Sequence, residues 1–176
     1  MKDKPITWES HWKCIKRLAV SHVVFQLPMM FVFHEVAPLI GIRTDKVLPS
    51  WSSILIGCVF AFFVEDFYFY WVHRLLHWGA WYQYIHKIHH EYQAPIGMAA
   101  EYAHPLETLL LGFGTMLGPF LSFNHIFTIY VFLALRLFQT IEHHCAYEYP
   151  WSPSKWLPLW SGARFHDYHH ETFVRV

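Results

Sequence analysis

Residues 73–90 read HRLLHWGAWYQYIHKIHH, and five of these eighteen positions are histidine. His73 and His77 stand four apart; His86, His89 and His90 follow at steps of three and one. On a helix, residues three and four apart share a face, with Cβ atoms roughly 5–6 Å apart. That spacing can aim several imidazoles at one point, as a metal site demands. The pattern recurs in HDYHH, where His166, His169 and His170 repeat the steps of HKIHH. A lone histidine in a chain that has 15 of them is more often a satisfied core or interface residue. Eight of them in three boxes argue instead for shared chemistry.

Outward from the boxes the chain turns apolar. Residues 51–72, WSSILIGCVFAFFVEDFYFYWV, lead into the first box, and residues 18–40 form an earlier apolar run. Each is long enough to cross a bilayer at about 20 residues per crossing. Pro28 is expected to kink the earlier run, and a re-entrant path is a rival reading for it. Two further runs, 106–122 and 124–145, hinge near Ser122–Asn124. The first of these is a minimal span broken by glycines. Glu65 and Asp66 interrupt the run before box one, either facing a polar interior or lying near the interface. Trp78, Trp81, Tyr82 and Tyr84 place the box segment at the membrane–water boundary, on helices lying along the surface.

Composition agrees. Hydrophobic residues make up 55% of the chain against 15% charged, with a mean hydropathy of +0.21, which suggests a membrane protein. The net charge of zero gives no sign of a nucleic-acid partner. Three scattered cysteines without a C-x-x-C offer neither a disulfide framework nor a thiolate zinc site. The expected fold is all-α. It is a single domain over 1–176, an integral membrane bundle of about four transmembrane or re-entrant helices in two hairpins, with the boxes together at one end.

That topology passes a charge test. The box side would hold Lys2, Lys4, Lys13, Lys16, Arg17, Arg74, Lys87, Lys155, Arg164 and Arg175, and the far side only Arg43 and Lys46. Cytosolic loops carry the excess of Lys and Arg, so the boxes are expected to face the cytosol.

Imidazole suits zinc, copper, iron and nickel. Eight histidines exceed the needs of one ion, so two metals are expected. His104 and His144, each where an apolar run meets the box side, are further candidates, with ligation and an interface role both open. His143 and His144 differ by one helical step and cannot both face the site. Glu91 and Asp167 stand beside box histidines and are placed to hold a ligand ring from behind. A cluster of neutral imidazoles leaves high positive charge, which suits an oxidant made from O2, although spacing alone fits zinc as well. There is no nucleophile motif and no phosphate-binding glycine loop, so the cofactor would carry the hard chemical step. A metal transporter or store would instead need ligands at mid-membrane.

HRLLH, HKIHH and HDYHH in a chain with two apolar hairpins resemble the sterol desaturase/fatty acid hydroxylase superfamily of membrane non-haem di-iron enzymes. KIHHEYQAPIGMAAEYAHPLETLLLG is most similar to the C-4 methylsterol monooxygenases within it. The resemblance implies an enzyme of the endoplasmic reticulum membrane with two iron ions and O2. Electrons would come from NAD(P)H through cytochrome b5 and its reductase, and the other enzymes of sterol C-4 demethylation would be partners. It implies stepwise oxidation of a sterol 4α-methyl group, and iron ligation by His73, His77, His86, His89, His90, His166, His169 and His170. His144 matches a further family histidine, while Glu148 stands where relatives often carry another. Fatty-acid or sphingolipid hydroxylation and sterol desaturation use much the same boxes. Family members usually extend beyond both ends of this chain, so a shortened form with a weakly supported third box, inactive or regulatory, is a further expectation.

Overall fold

The computed structural model describes residues 7–123, 125–157 and 160–172, and among these it is helical throughout, with no strand beyond one isolated bridge. Helix α1 (Trp8–Val20) starts where the Thr7 side chain accepts from the Ser10 N–H. It continues through a π-helical stretch, Ser21–Gln26, into α2 (Leu27–Val36). Pro28, where a kink is expected, is the second residue of α2, which directly follows this stretch. The Leu27 N–H reaches back five residues to the His22 carbonyl, which is the π spacing. The helical run therefore extends from Trp8 to Ile40, longer than the apolar pattern indicates.

Helix α3 (Trp51–Leu76) is capped by Ser50 and carries the first box at its C-terminal end. A short α4 (Gly79–Tyr84) and two 3-10 turns, His86–Glu91 and Gly97–Glu101, lead to α5 (Pro105–Ser122). Helix α6 (Ile126–His144) returns to the box end, and α7 (Gly162–Thr172) lies beneath it. Trp8–Ile40, Trp51–Leu76 and Ile126–His144 are each long and apolar enough to cross a membrane. Side chains such as Phe31, Leu55, Ile56, Phe63 and Leu121 are exposed on their outer surface. In water such a surface is a liability; in a bilayer it is the lipid-facing side.

Two features hold the hairpins together. Helices α3 and α5 cross at Gly118, where an added Cβ would lie 2.6 Å from the Ala61 Cα. Such close backbone approach is how membrane helices associate. Glu65 on α3 accepts from Arg136 Nε on α6 at 2.7 Å and from Thr115 Oγ1 on α5 at 2.7 Å. Glu65 therefore faces a polar partner inside the bundle, while Asp66, one step round the helix, is exposed. At the end away from the boxes, the Ile126 N–H donates to the Arg43 carbonyl (2.9 Å) and His125 Nε2 meets the Asp45 carbonyl (3.1 Å). The loops of the two hairpins are thus tied to each other. His125, which the sequence leaves without a role, is buried there and also caps α6 through the Phe127 N–H. The core between the hairpins is built on Ile54, Cys58, Ala61, Phe123, Ile129 and Phe132.

Of the cations expected on the box side, Lys13, Lys16, Arg17, Arg74, Lys87, Lys155 and Arg164 are among the described residues; Lys2, Lys4 and Arg175 fall outside them.

Candidate metal centre

The three boxes converge, but not box by box. Nitrogens of His73, His77, His86 and His169 all lie within 4.8 Å of one another, and so do those of His89, His144, His166 and His170. Box two occupies a 3-10 turn rather than an α-helix. There the rings of His86 and His89 stack at 5.5 Å between centroids, and each belongs to a different quartet. On α7, His166 and His170 join one quartet and His169 the other. His77 enters the first quartet as the C-cap of α3, its N–H bonded to the His73 carbonyl.

His144, at the end of α6, is a full member of the second quartet: its Nε2 stands 2.9 Å from His166 Nε2 and 3.3 Å from His89 Nε2. His143 turns away to Trp160 and Glu142, as the one-step offset requires. His90 is outside both quartets, yet its Nε2 is 3.1 Å from His86 Nε2, a fifth nitrogen at the edge of the first. Its ring also meets His170 of the second at 4.5 Å. His104 is not brought to either quartet; its Nδ1 accepts from the Leu106 N–H and caps α5. Glu148 is exposed, away from the centre.

The groups behind the rings fix their tautomers. His89 Nδ1 donates to the Tyr102 carbonyl (3.2 Å), His144 Nδ1 to Thr140 (2.7 Å) and His170 Nδ1 to Tyr92 (3.1 Å). Each Nε2 is then a bare lone pair. Two such lone pairs face each other at 3.3 Å between His144 and His89, where no hydrogen bond can form. A cation between them removes the repulsion. Imidazole nitrogens about 2.0–2.1 Å from one ion stand roughly 2.9–3.4 Å apart, and six of the Nε2 separations within the quartets run from 2.9 to 3.3 Å, with all ligand atoms of each quartet within 4.8 Å of one another. The residues therefore fit two metal ions.

Electrostatics points the same way. Burial, followed by the neighbouring imidazoles, pushes His89 down to about 4 and His90 down to about 2, and drives His86, His166 and His170 far below the usual range. Such rings are neutral at physiological pH, which is the ligating form.

Of the acids beside the boxes, Glu91 is engaged elsewhere, accepting from Lys13 Nζ at 2.6 Å and from the Tyr102 hydroxyl at 2.9 Å. Asp167 stays half-buried on α7. The carboxylate that does reach a ligand ring is one the boxes do not suggest. Glu107, 1% exposed in the first turn of α5, accepts from His86 Nδ1 at 2.8 Å. Its signal was an acid opening an apolar run on the box side. Glu142 is buried too, and its oxygens take Ser152 Oγ (2.6 Å) and Trp160 Nε1 (3.1 Å), pinning the loop that delivers α7. A surface cavity of about 310 Å³, lined by Tyr82, Lys87, Glu91 and others, reaches the cluster at His90.

Two histidine quartets at one end of a helical membrane scaffold define a membrane protein built around a candidate metal centre. The chain belongs to the fatty acid hydroxylase family, whose profile matches residues 58–176. A Dictyostelium discoideum relative, provisionally named a methylsterol monooxygenase, is 51% identical over 95% of this chain and 62% of its own length. Methylsterol monooxygenase 2-2 of Arabidopsis thaliana is 47% identical over 97% of this chain and 64% of its own. A very-long-chain aldehyde decarbonylase of Oryza sativa, GL1-8, is 46% identical over 90% of this chain and 59% of its own. The chain thus spans about three fifths of the length of the curated relatives it matches. No solved structure matches it.

Proposed function

We infer that this chain carries the metal centre of a di-iron membrane monooxygenase acting on the 4α-methyl group of a 4-methyl or 4,4-dimethyl sterol. The single observation that carries the reading is the pair of buried quartets, present in a chain that aligns over nearly its whole length with methylsterol monooxygenases. Iron, when bound, supplies O2 activation. The first oxidation takes up one O2, two electrons and two protons, and yields an alcohol and one water; aldehyde and acid follow by the same stoichiometric input. NAD(P)H, through a reductase and cytochrome b5, is the electron source in this reading. The membrane is that of the endoplasmic reticulum, with the boxes facing the cytosol, supported by the lysine and arginine asymmetry. Other enzymes of sterol C-4 demethylation would take the acid onward.

The protein's own residues have three tasks. His73, His77, His86 and His169, with His90 alongside, hold one ion; His89, His144, His166 and His170 hold the other. Carbonyls of Tyr102, Thr140 and Tyr92 and the Glu107 carboxylate keep the ligand nitrogens aimed inward. Burial of these rings excludes bulk water, which would otherwise quench an oxidant strong enough for a methyl group. Placement of the quartets at one end of the spans, rather than along a path at mid-membrane, disfavours metal transport.

The test is turnover. Membranes holding the chain, with reductase and cytochrome b5 supplied, are given 4,4-dimethyl and 4-methyl sterols, fatty acids and long-chain aldehydes, and products are identified by mass spectrometry. A 4-hydroxymethyl sterol that disappears in His89→Ala supports the reading. Decarbonylation of a long-chain aldehyde alone, the reaction in the name of the rice relative, replaces it; so would hydroxylation of a fatty acid.

A further inference from the structure

The two quartets are backed unequally. Behind the second, His89, His144 and His170 each donate to a neutral peptide carbonyl. Behind the first, His86 donates to a carboxylate, Glu107, 2.8 Å away and 1% exposed. The other carboxylate oxygen, Oε2, is buried without a hydrogen-bond partner among the described residues. A buried carboxylate that spends one oxygen on a ring nitrogen and leaves the other unsatisfied is costly in an empty protein. A divalent cation one imidazole away offsets that cost, because attraction between buried opposite charges is strong at low dielectric. Burying an ion pair of this kind leaves less net charge than burying a bare dication amid neutral ligands. The carboxylate also raises the basicity of the ring it holds.

We propose that Glu107 makes the two metal positions unequal, so that the His73–His77–His86–His169 quartet binds a divalent ion more tightly and fills first. This rests on the two-metal reading above and adds an order and a cause to it. Glu107 touches neither metal nor substrate; it is a positioning residue acting through His86. His90, whose Nε2 is 3.1 Å from His86 Nε2, favours the same quartet by offering a further nitrogen.

The experiment is a cobalt(II) titration of the metal-stripped full chain in nanodiscs, followed by visible absorption and calorimetry. Two steps of unequal affinity are expected. Glu107→Gln should weaken the tighter step by about 10–100-fold and leave the looser one, so that the two merge. Glu107→Asp should recover part of the difference. His144→Ala should keep only the tight step and His86→Ala only the loose one, which guards the test against a Glu107→Gln protein that does not fold. Two equal steps in the parent chain, or His144→Ala retaining the loose step instead, would overturn the proposal while leaving two ions in place. One tight ion per chain that weakens in Glu107→Gln would support the role of Glu107 and sink the two-ion reading.

Discussion

His169 and His170 are neighbours in sequence yet face different quartets. His169 Nε2 lies 3.0 Å from His73 Nε2, and His170 Nε2 lies 3.0 Å from His166 Nε2. One residue along an α-helix is about 100° of rotation, so α7 sits between two centres and serves both. His169→Ala should therefore lower metal content from about two ions per chain to about one, and His170→Ala should do the same by emptying the other quartet. The double variant should hold close to none. Elemental analysis of folded protein checks this; loss of both ions in either single variant would mean that the quartets are not separate binding units.

Acid should destabilise the metal-free protein over a defined range. In the unfolded chain His89 takes a proton near pH 6.5, but in the fold burial holds it down to about 4. Between those values the unfolded state binds more protons, so stability falls as pH drops, by about 1.4 kcal/mol per pH unit for this one group. Above pH 6.5 the effect vanishes, and below pH 4 it levels off. His90, held down to about 2, extends the loss to lower pH. Thermal midpoints of stripped protein in detergent from pH 8 to pH 4 should decline below 6.5, and His89→Gln should flatten the slope.

The boxes were legible because imidazoles at steps of three, four and one stand out in any sequence. What could not be read was their division. Spacing treats HKIHH as one unit, whereas the 3-10 turn sends His86 and His89 to different quartets. His144 lies outside the three boxes and was visible by its position at the end of an apolar run and by the family resemblance. Glu107 was harder still, because it is separated from every box and meets His86 only through the packing of α5. The hairpins followed from hydropathy, but the π turn before Pro28 depends on backbone registration that no pattern of side chains records. Glu65 could not be decided from sequence, since its partner Arg136 is 71 positions away.

Breaking the Glu65–Arg136 pair should be expensive. Each member is largely removed from water, with side-chain exposures of 4% and 19%. Glu65→Leu leaves Arg136 without its carboxylate and should cost about 3–5 kcal/mol. The double variant Glu65→Leu/Arg136→Met should recover most of that loss. Unfolding midpoints in mild detergent for the two singles and the double measure the coupling; a double variant no better than the worse single would count against it.

Gly162 opens α7 at φ +73°, and an added Cβ would press on Ser154 within 2.7 Å. Gly162→Ala should cost about 1–3 kcal/mol and shift α7 with its three box histidines. Helix content by circular dichroism should hardly change, while metal retention during dialysis should drop for both quartets. Unaltered retention would place the anchor of α7 in the Glu142–Ser152–Trp160 contacts instead.

The interleaving of the quartets bears on how the protein is born. His73 and His169 are 96 positions apart, yet they share a quartet. At about 5–20 residues per second of translation, the ribosome finishes α7 some 5–20 seconds after box one has emerged. Neither quartet is complete until α7 docks. On the two-metal reading, loading can finish only after that step, which leaves an interval in which half-built histidine clusters would have to be kept from capturing the wrong ion.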